Sequence, residues 1–308
     1  MISVIVAVYN GEKYIIDQLE SIRNQDLQVD EVLITDDCST DETYQLCNSY
    51  INKNKLNDKW KIKRNSHNKG YFKNFMDGIS ETSGDIIFLA DQDDIWKKEK
   101  TKVMCSYLLN NKILSLTSTF DMMATNGKIL NYHQKHPYHV KNGIRKIKIS
   151  EFLRFPNYLG MTMAIKRELF DNINYENINL ISHDIFINLN ACCLNGLYYL
   201  DIPLTIRRVY KSTSYLETKT EITQKYHGNA QIFKLSRKKR YCEKYLITVE
   251  IDKRTQNILK RYRKSYSNRI SYLTNHSLVG FFKNIKYLTC YENYRNFFYE
   301  LLVVMKGD

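Results

Sequence analysis

No apolar run in this 308-residue sequence approaches the roughly 18 residues that a bilayer-spanning helix needs. The seven cysteines contain no CxxC pair. That argues against a zinc site or a disulfide framework and for a reduced, cytosolic chain with buried thiols. The N-terminus enters an apolar run without a basic stretch or a cleavage site, so a signal peptide is not expected. A Gly-rich basic phosphate loop is also missing after that run. Tyr9-Asn10-Gly11-Glu12 stands there instead, which counts against a nucleotidyltransferase. RNA- and DNA-binding motifs are absent, and nucleic acid is not an expected partner. Negative charge is scarce at one end. From Lys219 to Asp308 there are 19 Lys or Arg against 7 Asp or Glu, so +12 of the net +13 lies there.

What is present is organised around Phe88-Leu89-Ala90-Asp91-Gln92-Asp93-Asp94-Ile95-Trp96. An apolar run from Ile86 to Ala90 stops at three carboxylates within four residues. Such a run reads as a buried parallel strand, and its carboxyl end is where open α/β sheets bind ligands. Like charges this close need a counter-ion. Hard oxygen ligands on a short turn suit Mg²⁺ or Mn²⁺, and such an ion can hold a diphosphate. A solvated acidic turn capping the next helix would have the same composition.

Upstream, Ile2 to Val8 reads as a first buried strand, broken by Tyr9-Asn10-Gly11. A helix follows with Ile15, Ile16, Leu19 and Ile22 on one face. Val32 to Ile34 is a second strand ending at Thr35-Asp36-Asp37, and Ser39 with Glu42 forms a capping box. Tyr44, Cys47 and Ile51 mark the next helix, Trp60 to Arg64 a half-exposed strand, and Phe72, Phe75, Met76 and Ile79 another helix. Strand and helix thus alternate over the first ~95 residues, the pattern of a parallel sheet. The Asp36-Asp37 pair and the Asp91–Asp94 cluster then leave the same sheet edge and can face one crevice. Asp36-Asp37 can accept hydrogen bonds from a base or ribose, or simply begin a turn and helix.

Lys98 to Asn110 reads as a helix. Leu114 to Ala124 and Lys128 to Tyr132 flank the hairpin signal Thr125-Asn126-Gly127. His133, His136 and His139 match no trusted metal spacing and read as a polar loop beside an acceptor cleft. Gly160 to Ile165 reads as a strand beside a site and Arg167 to Asp171 as a short helix. Ser182-His183-Asp184 opens a helix with Ser182 as N-cap, Ile185, Leu189, Cys192 and Cys193 buried, and Gly196 as C-cap. Asp184 suits the helix dipole there, and it is equally placed as a general base facing the crevice. Leu197 to Leu200 is a last strand, and Pro203 closes the unit.

These motifs resemble those of family 2 glycosyltransferases. Val4 to Asn10 with Glu12, Gln18, Leu19, Ser21-Ile22 and Gln25 is similar to the family's opening, and Glu31 to Thr43 to its next motif. Asn68, Gly70, Asn74-Phe75, Gly84-Asp85 and the run Asp91-Gln92-Asp93-Asp94-Ile95-Trp96 resemble a bacterial rhamnosyltransferase-like subgroup. Gly160-Met161-Thr162 and His183-Asp184 fall where that subgroup has a small-residue strand and an acid. The resemblance covers about 215 residues. It implies an α/β GT-A fold, with a nucleotide-binding half over 1–97, an acceptor half over 98–215, and a basic helical extension over 216–308.

The resemblance further implies transfer, with inversion, of rhamnose or another hexose from a dTDP- or UDP-sugar. Ala7, Tyr9, Glu12, Asp37, Asn74, Asp91, Asp94 and Arg208 would bind the donor. Asp91 and Asp93 would hold divalent Mg or Mn. Trp96, Gly160, Thr162 and His183 would line the sugar and acceptor pocket, and Asp184 would be the catalytic base. The subgroup has a His where this chain has Tyr210. Arg207, Arg208 and Lys211 are either surface charge or cations that do part of the metal's work. A non-catalytic sugar-binding module is the rival reading.

The basic end interleaves Arg237-Lys238-Lys239-Arg240 and Lys260-Arg261-Tyr262-Arg263-Lys264 with tyrosines, phenylalanines and short apolar patches. Helices of this kind can lie on an anionic membrane, which would suit a lipid-linked or growing polysaccharide acceptor. The expected location is therefore cytoplasmic, peripheral on the inner face of a bacterial plasma membrane. A solvated helical extension is the plainer alternative.

Overall fold

The computed structural model describes residues 1–124, 127–130, 140, 143–176, 182–208, 230–248 and 251–306. They fall into two units. The first is Met1–Lys148, Asn157–Tyr175 and Ile181–Tyr210, and the second is Ile149–Pro156, Glu176–Leu180 and Lys211–Asp308. The sequence places its boundary at 215/216, with nothing to mark the two earlier segments that join the second unit.

The first unit begins with strand–helix alternation. β1 (Ile2–Val8), α1 (Ile15–Arg23), β2 (Glu31–Asp36), α2 (Thr43–Lys53), β3 (Trp60–Arg64), α3 (Gly70–Ser80) and β4 (Ile86–Asp91) follow one another. The strands lie in the order β3-β2-β1-β4, all parallel. Val4, Ile5 and Val6 are fully buried, as are Ile87 to Ala90, which is why these strands read as unbroken apolar runs. Helix α1 buries Ile15, Gln18, Leu19 and Ile22. Polar Gln18 thus takes the inward place that the sequence pattern gives to Ile16.

The remaining elements of this unit extend the sheet. They are β5 (Ile95–Trp96), α4 (Lys100–Leu108), β6 (Ser115–Met123), β7 (Ile129–Leu130), β8 (Ile144–Lys146), β9 (Met163–Lys166), α6 (Arg167–Asp171), α7 (His183–Cys193) and β10 (Leu197–Arg208). A short helix, α5 (Ile149–Arg154), intervenes in sequence and belongs to the second unit. From β4 the order continues β9-β6-β10-β5. Here β9 runs antiparallel to β4 and β6, β10 parallel to β6, and β5 antiparallel to β10. β7 pairs with β6 and β8 with β10.

Four local expectations are corrected. Pro203 does not close the unit: β10 continues to Arg208, and its register against β6 shifts on both sides of Pro203. A residue without an N–H is tolerated at such an irregularity. Gly160–Thr162 is a 3₁₀ turn, and the strand starts at Met163. At the end of α7 the left-handed residue is Asn195, with φ 58°, and not Gly196. The Gly196 N–H donates to the Ala191 carbonyl and the Asn195 N–H to that of Cys192, the paired bonds of a Schellman cap. Ser39 and Glu42 form no capping box. The Ser39 hydroxyl donates to Asp36 and accepts from the Asn10 N–H, while Asp41 accepts from the Thr43 N–H.

The second unit contains α5, α8 (Ala230–Thr248), α9 (Lys253–Thr274), α10 (Leu278–Lys283), a 3₁₀ segment (Ile285–Cys290) and α11 (Tyr294–Lys306). Its interior holds Tyr245, Tyr266, Tyr272, Phe281 and Cys242, and also the fully buried charges Arg269 and Glu300. The Arg269 guanidinium bonds both Glu300 oxygens and reaches Glu292 at 3.2 Å. Glu300 also accepts from Tyr272 and Gln231, and Glu292 pairs with Lys238.

Candidate active site at the carboxyl edge of the sheet

Register brings the two acidic clusters together. Ala7 lies opposite both Thr35 of β2 and Asp91 of β4, and Val8 opposite Asp36. Because the three strands are parallel, Tyr9, Asp37 and the Asp91–Asp94 turn all emerge at one edge.

Hydrogen bonds fasten these three exits to one another. The Asn10 N–H donates to Ser39 Oγ at 3.0 Å, the Gly11 N–H to Thr43 Oγ1 at 2.7 Å and the Glu12 N–H to Asp41 Oδ2 at 3.2 Å. In return, Thr40 N–H donates to Asn10 Oδ1 and Glu42 N–H to Glu12 Oε2. Asn10 adopts φ 50° and Cys38 φ 67°. The left-handed region is ordinary for Asn but strained for Cys, and strain of this kind gathers at functional loops. On the other flank the Gln92 side-chain amide accepts from the Tyr9 N–H at 2.7 Å and donates to the Tyr9 carbonyl at 3.0 Å. Gly11 leaves room for that amide, since a Cβ there would collide with the Gln92 side chain.

Asp37 is buried and already engaged. Oδ1 accepts from Asn65 Nδ2 and the Lys69 N–H, and Oδ2 from the Gly70 N–H, each at 2.8 Å. Asn74 is buried beside it, donating to the Thr35 carbonyl and accepting from Asn65. These two residues therefore brace the start of α3 against the end of β2. Tyr9 is 45% exposed at the mouth.

The acid turn is electrostatically loaded. Burial and the neighbouring carboxylates Asp93 and Asp184 push Asp91 up to about 7, against the pull of Arg207 and Lys100. Burial, then Asp91 and Asp93, raise Asp94 well above the usual carboxylate range, again opposed by Arg207 and Lys100. Asp94 Oδ2 is buried and has no hydrogen-bond partner among the described residues. Asp184 thus belongs to the same field as the acids, as the sequence suggests, although it comes from α7. It accepts the Ile185 N–H at 2.7 Å.

Beneath the turn lies Trp96, which is 3% exposed. It packs on Phe88 with ring centroids 5.5 Å apart. With the Gln18 amide turned so that its oxygen faces the indole N–H, its nitrogen faces the Asp94 carbonyl, which satisfies both groups. The structure therefore puts Trp96 in the core supporting the acids and not at a pocket surface. Lys100 is fully buried, with Nζ 3.9 Å from the Trp96 ring centroid. It donates to the Met161 carbonyl at 2.7 Å and to Thr205 Oγ1 at 3.1 Å. Burial brings this amine down to about 7. Lys100 and Asn65 are residues that sequence reasoning missed, and it met Gln18 and Gln92 only as parts of motifs, without their roles. Lys100 sits in the run Lys97-Lys98-Glu99-Lys100, which has the look of a solvated surface.

Arg207 and Arg208 separate by strand alternation. Arg207 is exposed, and its charge reaches Asp91 and Asp94. Arg208 instead pairs with Asp17 of α1 and lies 4.8 Å from the Tyr14 ring centroid. Arg208, expected to bind the donor, is thus paired within the chain, and Arg207 is the cation whose charge the acids feel. Tyr210, Lys211 and the three histidines His133, His136 and His139 lie outside the described residues, as do Thr125 and Asn126.

On the acceptor side, His183 stacks on Phe75 at 3.9 Å and meets Tyr71 edge-on at 6.2 Å. Burial lowers its pKa, partly offset by Asp184. Neither ring nitrogen has a partner among the described residues. Gly160 faces the ring, and a Cβ there would collide with Nε2. Thr162 is buried and donates to the Leu159 carbonyl at 2.7 Å. Because Phe75 holds the imidazole, Gly160→Ala is expected to cost about 1–3 kcal/mol by overpacking. Thermal unfolding checks this, and an unchanged midpoint would mean that the ring has room to move.

This architecture, a mostly parallel sheet whose carboxyl edge gathers acids from several elements, is an α/β fold of the GT-A type. The chain belongs to glycosyl transferase family 2, whose family model matches residues 3–173. It is 38% identical over 109 residues to the poly(ribitol-phosphate) beta-N-acetylglucosaminyltransferase TarS of Staphylococcus aureus, a match spanning 34% of this chain and 18% of that protein. It is 27% identical over 224 residues to the abequosyltransferase RfbV of Salmonella typhimurium, covering 68% and 66% of the two. The chain thus matches less than two thirds of the length of either relative.

Two solved structures share its fold. S. aureus TarS 1–349 in complex with UDP-GlcNAc has a TM-score of 0.61 at 20% identity, covering 90% of this chain and 76% of that one. The mannosyltransferase PcManGT from Pyrobaculum calidifontis, in complex with GDP-Man and Mn²⁺, has a TM-score of 0.59 at 15% identity, covering 99% and 84%.

Proposed function

We propose that this chain is an inverting glycosyltransferase. It moves rhamnose or another hexose from a dTDP- or UDP-sugar to a hydroxyl of a lipid-linked or growing surface polysaccharide. The observation that carries the reading is the convergence of the Asp91–Asp94 turn, the tied exits of β1 and β2, and the Asp184 carboxylate at one sheet edge. The uridine nucleotide in the TarS complex and the bacterial relatives support the choice of donor and acceptor.

The donor set suits a divalent ion. Among the described residues no three His, Cys, Asp or Glu side chains group as a ready-made metal site. Mg²⁺ and Mn²⁺ do not need one, since one or two carboxylates plus substrate phosphates suffice. The raised pKa of Asp91 and the unpartnered Asp94 oxygen both mark a place short of positive charge. Asp91 and Asp93 would hold the ion. When bound, it supplies Lewis-acid neutralisation of the departing diphosphate.

The rest is done by the chain. Asp184 takes the acceptor hydroxyl proton as its oxygen bonds to the anomeric carbon and the bond to the diphosphate breaks. Attack from the opposite face inverts that carbon without a protein nucleophile. Arg207 adds fixed positive charge near the acids. Tyr9 offers an exposed ring to the nucleotide, and Asp37 and Asn74 brace the loop it rests on. The reading includes a peripheral position on the inner face of the plasma membrane, supported by the basic composition of residues 219–308. Among the described residues no helix is long and apolar enough to cross a bilayer.

A thermal-shift panel tests this with UDP, dTDP, GDP and CMP, each with and without Mn²⁺. A ligand at a hundredfold excess over its Kd adds about 2.7 kcal/mol to stability. Stabilisation by UDP or dTDP only with Mn²⁺ is the expected result. Equal stabilisation without Mn²⁺ would transfer the role of the ion to Arg207. No response to any of the four would overturn the reading.

A further inference from the structure

Helix α11 has two apolar faces. One is turned inward and buries Val304, with Phe297 partly covered. The other carries Tyr294, Phe298, Leu302 and Met305, at helical spacing and between 55% and 71% exposed. Helix α10 adds Val279 and Phe282, 66% and 57% exposed. Ring contacts run from Phe282 to Phe281, Phe297 and Phe298 at 5.5, 4.7 and 5.6 Å. The two exposed sets therefore belong to neighbouring helices packed through one aromatic row. Single exposed apolar residues need no explanation, but a grouped patch does.

Among the described residues from His276 to Lys306, the exposed charges have one sign. Between His276 and Lys306 the only carboxylates are Glu292 and Glu300. Both are turned inward, to Lys238 and Arg269. Lys283, Lys286, Arg295 and Lys306 are all exposed. An apolar face whose own helices expose only cations among the described residues matches an anionic bilayer surface. A second copy of the same face would bring like charges together, which disfavours self-association as the cover.

We infer that the α10–α11 face is the membrane-contacting surface of the chain. Val279, Phe282, Phe298, Leu302 and Met305 enter the boundary of the acyl chains. Lys283, Lys286, Arg295 and Lys306 meet anionic headgroups. The inference rests on the membrane-surface setting proposed above and narrows it. The contact belongs to this face and not to the basic clusters at Arg237–Arg240 and Lys260–Lys264.

Co-sedimentation of the full chain with vesicles tests it. One set is phosphatidylcholine alone and the other an equal mixture with phosphatidylglycerol. The wild type is expected to bind the mixed vesicles much more tightly. Phe282→Asp with Leu302→Asp should abolish binding without lowering the melting temperature, since both side chains are exposed. Lys283→Ala with Lys286→Ala should weaken binding about fivefold per lysine, whereas Lys260→Ala with Lys264→Ala should change little. If the last pair removes binding and the first does not, the face is wrong and the membrane setting survives. Failure of the wild type to bind mixed vesicles would remove both. A wild-type dimer that Leu302→Asp converts to a monomer would make a second copy the occupant and overturn the inference.

Discussion

Asp184→Asn is expected to lower turnover by about 10²–10⁴-fold, the usual contribution of a positioned general base, while nucleotide-dependent stabilisation stays intact. The substitution removes proton affinity and little else. An Asn at the first turn of α7 still offers an oxygen to the Ile185 N–H that Asp184 accepts at 2.7 Å, and it is tolerated at a helix start. Charge also argues for this residue as the base. Its charge reaches Asp91, so a diphosphate and its cation brought to the acid turn would lie within the same electrostatic neighbourhood. Initial rates of sugar transfer, measured beside the thermal-shift response to UDP with Mn²⁺, separate chemistry from binding. Unimpaired turnover would sink the assignment of Asp184 as the base. Loss of nucleotide response together with turnover would recast it as part of the donor site.

Glu300→Gln is expected to destabilise the chain by about 3–5 kcal/mol, the cost of leaving one member of a buried ion pair uncompensated. Arg269 and Glu300 are both fully buried, and Arg269 Nη1 already lacks a partner among the described residues. Glu292 is the other anion facing the guanidinium, and it is shared with Lys238. Those two cations outweigh its burial and hold its carboxyl down to about 2. Removing the charge of Glu300 therefore leaves two cations, fully buried Arg269 and partly exposed Lys238, on one carboxylate. The double variant Arg269→Leu with Glu300→Leu should lose less than the single change, because no lone charge remains. Urea unfolding of both variants checks this. A Glu300→Gln loss below about 1 kcal/mol, as for an exposed pair, would mean that water reaches the network.

The elements that deliver the acids were legible because each is an apolar run broken by polar residues. Ile2–Val8, Val32–Ile34 and Ile86–Ala90 declare themselves as buried strands, and Asp36, Asp37 and Asp91 mark their ends. Parallel order then puts the acids on one edge without further information. The supports of the site were not legible, since they are long-range and polar. The Gln92 pair with Tyr9 spans 83 residues and the Lys100 bond to Thr205 spans 105, and no period or spacing announces either contact. Two-residue β5 is too short to alternate, so Trp96 looked like a pocket wall when its partner strand makes it core. In the second unit, a basic tyrosine-rich composition suggested a surface, yet Tyr245, Tyr266 and Tyr272 lie in the core. It hid an interior in which Arg269, Glu292, Glu300 and Lys238 neutralise one another, because composition does not say which charges face inward.

The ties among the exits of β1, β2 and β4 have a consequence for ligand entry. Five backbone N–H groups, those of Asn10, Gly11, Glu12, Thr40 and Glu42, bond across the first two loops, and Gln92 clasps the third to Tyr9. Backbone donors that would otherwise fluctuate are already held before any nucleotide arrives. Ordering a loop on binding costs conformational entropy that subtracts from affinity. Here that cost falls at folding, so a nucleotide meets a floor of fixed shape and loses mainly its own freedom.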